Sequence, residues 1–95
     1  MQRLIDAFAP ERIYVFGSQA RGTAGPNSDI DILVVVDETE EPLYRLDQQG
    51  YAVLEPYRLP IELVFITRSD FERRLPAVAS LPATVVREGR LLYAA

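Results

Sequence analysis

Apolar residues recur along this chain with two periods, one typical of helices and the other of strands. A first short helix is predicted by apolar residues at helical spacing, namely Leu4, Ile5 and Phe8. Pro10 predicts its end, because proline cannot continue a helix. Residues 12–16 are rich in β-branched and aromatic side chains, which predicts a buried strand that ends at Gly17. Residues 29–36 predict a second strand that is polar only at its start.

The second half of the chain continues this alternation. Apolar positions after the acidic segment 37–41 predict a helix that is weakened or interrupted at Gly50. Residues 61–66 predict a third strand. Ser69, followed three residues later by Glu72, matches a capping box and predicts a short helix through Arg74. A further helix is predicted at residues 83–88, with a stop at Gly89 and a final short strand at 91–93.

Composition limits the functions that the chain can have. Its 95 residues are 48% hydrophobic and 25% charged, typical of one soluble globular domain spanning residues 1–95. The net charge of −4 argues against direct nucleic-acid binding, which needs clustered Lys and Arg. Cys and His are absent, which excludes disulfides, zinc sites of the usual kind and a histidine base. No apolar run approaches the roughly 20 residues of a membrane span, so we expect a cytoplasmic protein without a membrane partner.

The residues with recognisable chemistry are a Gly-Ser pair and three carboxylates. Gly17 lets the backbone turn sharply and approach a ligand. Ser18 begins a predicted helical turn whose free N–H groups and hydroxyl suit a phosphate oxygen. Asp29 and Asp31 lie two positions apart on a strand, so both side chains leave the same face about 6.5–7 Å apart. The third carboxylate, Glu62, lies near the start of the third strand.

The places of these residues on their strands also predict the topology of the sheet. Gly17 and Ser18 lie at the end of the first strand, and Asp29 and Asp31 lie at the start of the second. The two pairs meet only if those strands are antiparallel. Glu62 lies near the start of the third strand, which should therefore run parallel to the second. We predict an α/β (α+β) fold with a small mixed β-sheet flanked by helices.

Three carboxylates at one end of a sheet repel one another unless cations lie among them. Magnesium suits this arrangement because it binds one or two carboxylates together with substrate phosphates. Two such ions about 3.5–4 Å apart would hold the attacking and leaving oxygens of an in-line displacement at phosphorus. A P-loop is excluded because no Lys follows Gly22, and a calcium loop because residues 33–36 are apolar.

Taken singly, these features have ordinary interpretations. A Gly-Ser pair after a strand is most often a turn, and an Asp-x-Asp at a strand start is most often a solvated strand end. Arg21 fits a surface ion pair as well as it fits a phosphate contact. The combination and its spacing are more specific than any of these parts.

Together, these segments closely resemble the minimal nucleotidyltransferase (MNT) branch of the DNA polymerase beta superfamily. The resemblance covers nearly the whole chain and rests on Phe16-Gly17-Ser18-Gln19-Ala20-Arg21-Gly22, Ser28-Asp29-Ile30-Asp31, Pro60-Ile61-Glu62-Leu63-Val64 and Val85-Val86-Arg87-Glu88-Gly89-Arg90. It implies a nucleotidyltransferase fold similar to the palm of polymerase beta. It also implies magnesium-dependent transfer of AMP, or another nucleoside monophosphate, from ATP or another nucleoside triphosphate onto a hydroxyl.

The resemblance further implies a role for each site residue. Gly17 and Ser18 would hold the β- and γ-phosphates, and Arg21 would reach the triphosphate. Asp29 and Asp31 would bind both magnesium ions. Glu62 would help to hold the catalytic ion and activate the acceptor hydroxyl.

The acceptor is expected on another protein. Larger relatives carry a second domain that holds the acceptor, and 95 residues leave no room for one, so we expect a separate partner chain or a homo-oligomer. The resemblance points to a HEPN-type helical toxin, with this chain as the MNT antitoxin of a toxin-antitoxin system that adenylylates a toxin tyrosine. Transfer to a small molecule of the aminoglycoside type is less favoured, because no acceptor pocket fits in this length.

One departure from the family pattern supports a different function. The third acidic position of the family is more usually Asp, and Glu62 is one methylene longer. The alternative is a catalytically weak or inactive nucleotide-binding antitoxin that acts by binding its partner.

Overall fold

The computed structural model describes residues 1–17, 30–55 and 60–95 of the chain. Within these ranges helices and strands follow one another along the sequence as α1 (Gln2–Phe8), β1 (Arg12–Phe16), β2 (Ile30–Val36), α2 (Leu43–Leu54), β3 (Ile61–Thr67), α3 (Arg68–Arg74), α4 (Leu81–Glu88) and β4 (Arg90–Ala94). The predicted helical turn that begins at Ser18 lies outside the described residues. In the part of the chain that is described, no helix has the length and apolar character needed to cross a membrane.

The described strands form one mixed four-stranded sheet in the order β3-β2-β1-β4. β1 is antiparallel to both β2 and β4, whereas β2 and β3 are parallel. Since parallel neighbours need a crossover connection, the chain between β2 and β3 includes the long helix α2. The predicted mixed sheet and both predicted strand directions are confirmed.

Helices cover both faces of the sheet, because side chains alternate between the faces along each strand. Beneath α1 and α2 lies a buried cluster of Leu4, Ile13, Val34, Val36, Leu46, Leu63 and Phe65. Beneath α3 and α4 lies a second cluster of Tyr14, Leu33, Val35, Ile66, Phe71 and Val85. The central strand β2 is therefore apolar on both sides, which explains its unbroken apolar run.

The start of α3 differs from the predicted one. The helix begins at Arg68, and its N-cap is Thr67, whose hydroxyl accepts a hydrogen bond from Asp70 N–H at 3.2 Å. The prediction of Ser69 as N-cap is wrong, because β3 continues as far as Thr67 and the helix starts directly after it. Glu72, assigned to the capping box, instead pairs with Arg68 at 3.5 Å.

The start of α4 is also earlier than predicted, whereas its end is confirmed. It begins at Leu81, capped by the Ser80 hydroxyl, which accepts from Ala83 N–H at 3.2 Å. Gly89 follows its last residue as expected.

Gly50 does not interrupt α2, contrary to the prediction. The helix is continuous from Leu43 to Leu54 and Gly50 is buried within it. A Cβ atom at Gly50 would lie 2.9 Å from side-chain carbons of both Leu63 and Phe65. The missing side chain therefore lets α2 approach β3 closely, and this packing outweighs the low helix propensity of glycine.

Candidate active site

The end of β1 brings Gly17 against the carboxylate of Asp31. Phe16 and Asp31 are opposite each other in the antiparallel register of β1 and β2. Gly17 comes next and has a φ of 74°, in the left-handed region that favours glycine. A Cβ atom there would collide with Oδ2 of Asp31 and lie 3.3 Å from its Cγ. Glycine is therefore needed both for the turn and for the space that the carboxylate fills.

β3 places Glu62 beside Asp31. The two residues are partners in the parallel register of β2 and β3, so their side chains leave the same face of adjacent strands. Such strands are about 4.8 Å apart. Asp31 is half-buried and Glu62 is exposed. Phe16, Asp31 and Glu62 thus form one row across three strands, which we call the site row.

The site row lies where the apolar core of this face ends. The next row along the same face is formed by Tyr14, Leu33 and Val64, of which Leu33 is fully buried. Phe16 and Leu81 of α4 pack against the buried cluster beneath α3 and α4 and are themselves partly buried. The two carboxylates therefore lie directly beyond an apolar base on this face of the sheet.

Backbone hydrogen bonds fix β3 on both sides of Glu62. The carbonyl of Pro60 accepts from Ile30 N–H at 2.8 Å, which ties the start of β3 to β2. Beyond Glu62, Leu63 N–H donates to the Tyr51 hydroxyl of α2 at 2.9 Å. No sequence motif singles out Tyr51 for this role. In the folded chain it lies one helical turn beyond Asp47, on the side of α2 that faces β3.

Asp47 is a second carboxylate against β3, but it does not belong to the site row. Burial raises the pKa of Asp47 above its ordinary value, and the nearby backbone N–H of Phe65 offsets part of this rise. Its Oδ1 is buried and has no hydrogen-bond partner among the described residues. Asp47 therefore covers the outer edge of β3.

The structure brings together three of the six residues that the sequence singles out. Gly17, Asp31 and Glu62 meet at one end of the sheet, as predicted. Ser18, Arg21 and Asp29 lie outside the described residues, so their roles stay predictions. Within residues 1–17, 30–55 and 60–95, no group of three or more His, Cys, Asp or Glu side chains is placed to hold a metal ion.

The described part of the site suits a phosphate-bearing ligand that carries a divalent cation. Two carboxylates on adjacent strands supply the hard oxygen ligands that Mg²⁺ prefers, and Mg²⁺ commonly takes one or two carboxylates plus phosphate oxygens. Gly17 leaves the backbone beside them uncovered by a side chain. The geometry therefore fits binding of a metal-complexed phosphate group.

A family comparison decides the assignment of the chain. Residues 1–92 match the model of the nucleotidyltransferase domain family. The chain belongs to this family. A comparison with curated proteins found no match.

Solved structures agree with the family and the fold. A chain of a toxin-antitoxin crystallised with AMP-PNP is 29% identical, with a TM-score of 0.58 over 99% of this chain and 70% of that one. A chain of the toxin-antitoxin MntA-HepT is 26% identical, with a TM-score of 0.53 over 99% of this chain and 66% of that one. The resemblance to MNT antitoxins is thus confirmed.

A more distant structure supports the fold alone. A chain from Sulfolobus solfataricus, assigned as a nucleotidyltransferase, is 24% identical. Its TM-score is 0.63 over 98% of this chain and 72% of that one. The mixed sheet with helices on both faces is therefore the nucleotidyltransferase fold.

Proposed function

We propose that this chain is an antitoxin that transfers AMP from ATP onto a tyrosine hydroxyl of a HEPN-type helical toxin. The observation that carries the proposal is that Asp31 and Glu62 of the site row are registered neighbours and that Gly17 lies against Asp31. The family supports nucleotidyl transfer as the kind of reaction. The similarity to chains in a toxin-antitoxin crystallised with AMP-PNP and in MntA-HepT supports the choice of partner and nucleotide.

The residues present fit magnesium. Asp31 and Glu62 leave the same face of adjacent strands, which allows both carboxylates to reach one cation. Asp29, which lies outside the described residues, would be the third ligand, as the resemblance to minimal nucleotidyltransferases implies. Bound Mg²⁺ would neutralise the charge on the phosphate oxygens during an in-line displacement.

The residues of the chain divide the work of the transfer. The backbone at Gly17 and the Ser18 hydroxyl bind the β- and γ-phosphates, and Arg21 pairs with the same triphosphate. Glu62 accepts the proton of the acceptor hydroxyl. The acceptor oxygen then forms a bond to the α-phosphorus, the bond from that phosphorus to the β-phosphate bridge breaks, and pyrophosphate leaves.

Mass spectrometry of the intact complex tests this function. The chain is copurified with its natural partner, incubated with Mg-ATP, and both chains are weighed for wild type, Asp31→Asn and Asp37→Asn. Asp37 is a matched control, because it is an exposed Asp just beyond the far end of β2. We expect an AMP-sized mass increase on a helical partner with wild type and Asp37→Asn, and no detectable increase with Asp31→Asn over the same incubation time.

Two results would contradict the proposal. An unchanged partner mass in an intact complex would favour the alternative of a binding antitoxin without transfer, for which the longer Glu62 side chain is the structural reason. Purification of the chain without any helical partner would contradict the partner assignment while leaving the transferase assignment open to other acceptors.

A further inference from the structure

α2 supplies hydrogen-bond acceptors to the outer edge of β3. β3 is an edge strand of the described sheet, and its far side faces α2. Leu63 N–H donates to the Tyr51 hydroxyl at 2.9 Å, and the Asp47 carboxylate faces the backbone N–H of Phe65. These are the outward-pointing donors that would otherwise be exposed on an edge strand.

The spacing of the two acceptors matches the spacing of the two donors. Asp47 and Tyr51 are four residues apart on a helix, a rise of about 6 Å. Leu63 and Phe65 are two residues apart on a strand, a rise of about 6.6 Å. Gly50 permits the close approach, because a Cβ atom there would lie 2.9 Å from carbons of both strand residues. α2 thus acts as a substitute for a neighbouring strand.

The Tyr51 hydrogen bond acts on the peptide group that follows Glu62. Leu63 N–H and the Glu62 carbonyl belong to the same planar peptide unit. The orientation of that unit sets the ψ angle of Glu62, and with it the direction in which the Glu62 side chain leaves the strand. On the other side, the Pro60 carbonyl is held by Ile30 N–H at 2.8 Å. Glu62 is therefore fixed between one anchor on β2 and one on α2.

We propose that Tyr51 is a positioning residue for the reaction, which aims the Glu62 carboxylate at the cation that it shares with Asp31. This inference rests on the proposed function of the site row. Asp47 faces the next outward peptide, between Val64 and Phe65, and therefore acts on β3 without orienting Glu62. Tyr51 and Asp47 are thus expected to differ in their effect on transfer, although both lie against the outer edge of β3.

Three substitutions distinguish a positioning role of Tyr51 from a purely stabilising one. Tyr51→Phe removes the hydroxyl and keeps the ring. Asp47→Ala removes the neighbouring acceptor on the same edge. Tyr44→Phe is the matched hydroxyl deletion on α2, at a side chain that is 59% exposed. Transfer to the partner is measured well below the lowest melting temperature of the set.

The expected pattern is specific to Tyr51. Loss of a hydrogen bond that orients a metal ligand typically costs about 10- to 100-fold in activity or metal affinity. We expect a rate decrease in this range for Tyr51→Phe with KM for ATP unchanged, and less than about a twofold change for the other two variants. In a Glu62→Gln background, Tyr51→Phe should have no further effect, because the side chain that it positions is already neutral.

A binding measurement tests the same inference without turnover. Mn²⁺ is titrated into wild type and Tyr51→Phe, each with and without Glu62→Gln, in the presence of the α,β-methylene analogue of ATP. We expect weaker Mn²⁺ binding for Tyr51→Phe only where Glu62 is intact. If Tyr51→Phe weakens Mn²⁺ binding only where Glu62 is intact, but the wild type transfers no nucleotide, the proposed function fails and the positioning role stands.

Several outcomes would overturn the positioning role. These are equal Mn²⁺ affinities of wild type and Tyr51→Phe, an equal loss of affinity in the Glu62→Gln background, and absence of Mn²⁺ binding by wild type. An equal loss of transfer in Asp47→Ala and Tyr51→Phe would likewise reduce Tyr51 to a stabilising residue.

Discussion

Replacement of Gly17 by alanine should damage both the fold and the site. With a φ of 74°, Gly17 lies in a region that costs an L-residue roughly 1–2 kcal/mol. For a domain of this size, that cost corresponds to a decrease in melting temperature of about 4–16 °C. The new Cβ atom would also collide with Oδ2 of Asp31, so the carboxylate must move.

The displacement of Asp31 should cost more activity than the loss of stability explains. A misplacement of about 1 Å in a catalytic group can slow a reaction roughly a hundredfold. We therefore expect Gly17→Ala to transfer AMP about a hundredfold more slowly than wild type at a temperature where both are folded. Calorimetry measures the melting temperature, and a single-turnover assay with the partner measures the rate.

Gly89→Ala is the matched control for this prediction. A Cβ atom at Gly89 would lie 2.8 Å from the backbone oxygen of Val15, so stability should fall, but Asp31 is not affected. We expect a transfer rate within a few-fold of wild type for this variant. A Gly17→Ala protein that melts and reacts like wild type would refute the assigned contact between Gly17 and Asp31.

Three further predictions concern the carboxylates. Asp31→Asn should slow transfer about a hundredfold to a thousandfold, because it removes a proposed ligand of both ions; a rate near that of wild type would contradict the two-ion assignment. Mg-ATP at ten times its Kd should raise the melting temperature by about 6–11 °C, and no shift at millimolar concentrations would contradict a formed nucleotide site. For Asp47, burial raises the pKa in the folded protein above the ordinary value of 3.8, so the folded protein binds the proton more tightly than the unfolded chain. Stability therefore falls as the pH rises from 3.8 through the folded-state pKa. Asp47→Asn should melt higher than wild type above the folded-state pKa, and the difference should vanish below about pH 3.8; a pH-independent difference would contradict this.

The strands and their directions could be predicted because local pattern and chemistry agree. Residues 12–16 are β-branched and aromatic, and β1 has these bounds. The directions followed from the requirement that the Gly17-Ser18 pair, the two aspartates and Glu62 meet. The register confirms this for Asp31 and Glu62, and the close approach of Gly17 to Asp31 confirms it for Gly17. The positions of the site residues at the strand ends therefore predicted the strand directions, which secondary-structure propensity alone does not.

The errors arose where tertiary packing decides between local alternatives. Thr67 and Ser69 both carry a hydroxyl that suits a helix cap, and pairing of β3 with Val36 selects Thr67. Gly50 suggests a break in α2 until Leu63 and Phe65 are known to lie against it. The hydrogen bond from Leu63 to Tyr51 joins residues that only the folded chain brings together. No local pattern contains these contacts.

The most direct test of the central claim uses ATP labelled at two positions in parallel reactions of the wild-type complex. Transfer of AMP leaves the α-phosphate on the partner and releases the γ-phosphate within pyrophosphate. We therefore predict that label from α-labelled ATP stays on the partner chain and that label from γ-labelled ATP does not. Retention of the γ-label would mean phosphoryl transfer, and absence of both labels from the partner would mean no transfer; either result contradicts nucleotidyl transfer at this site.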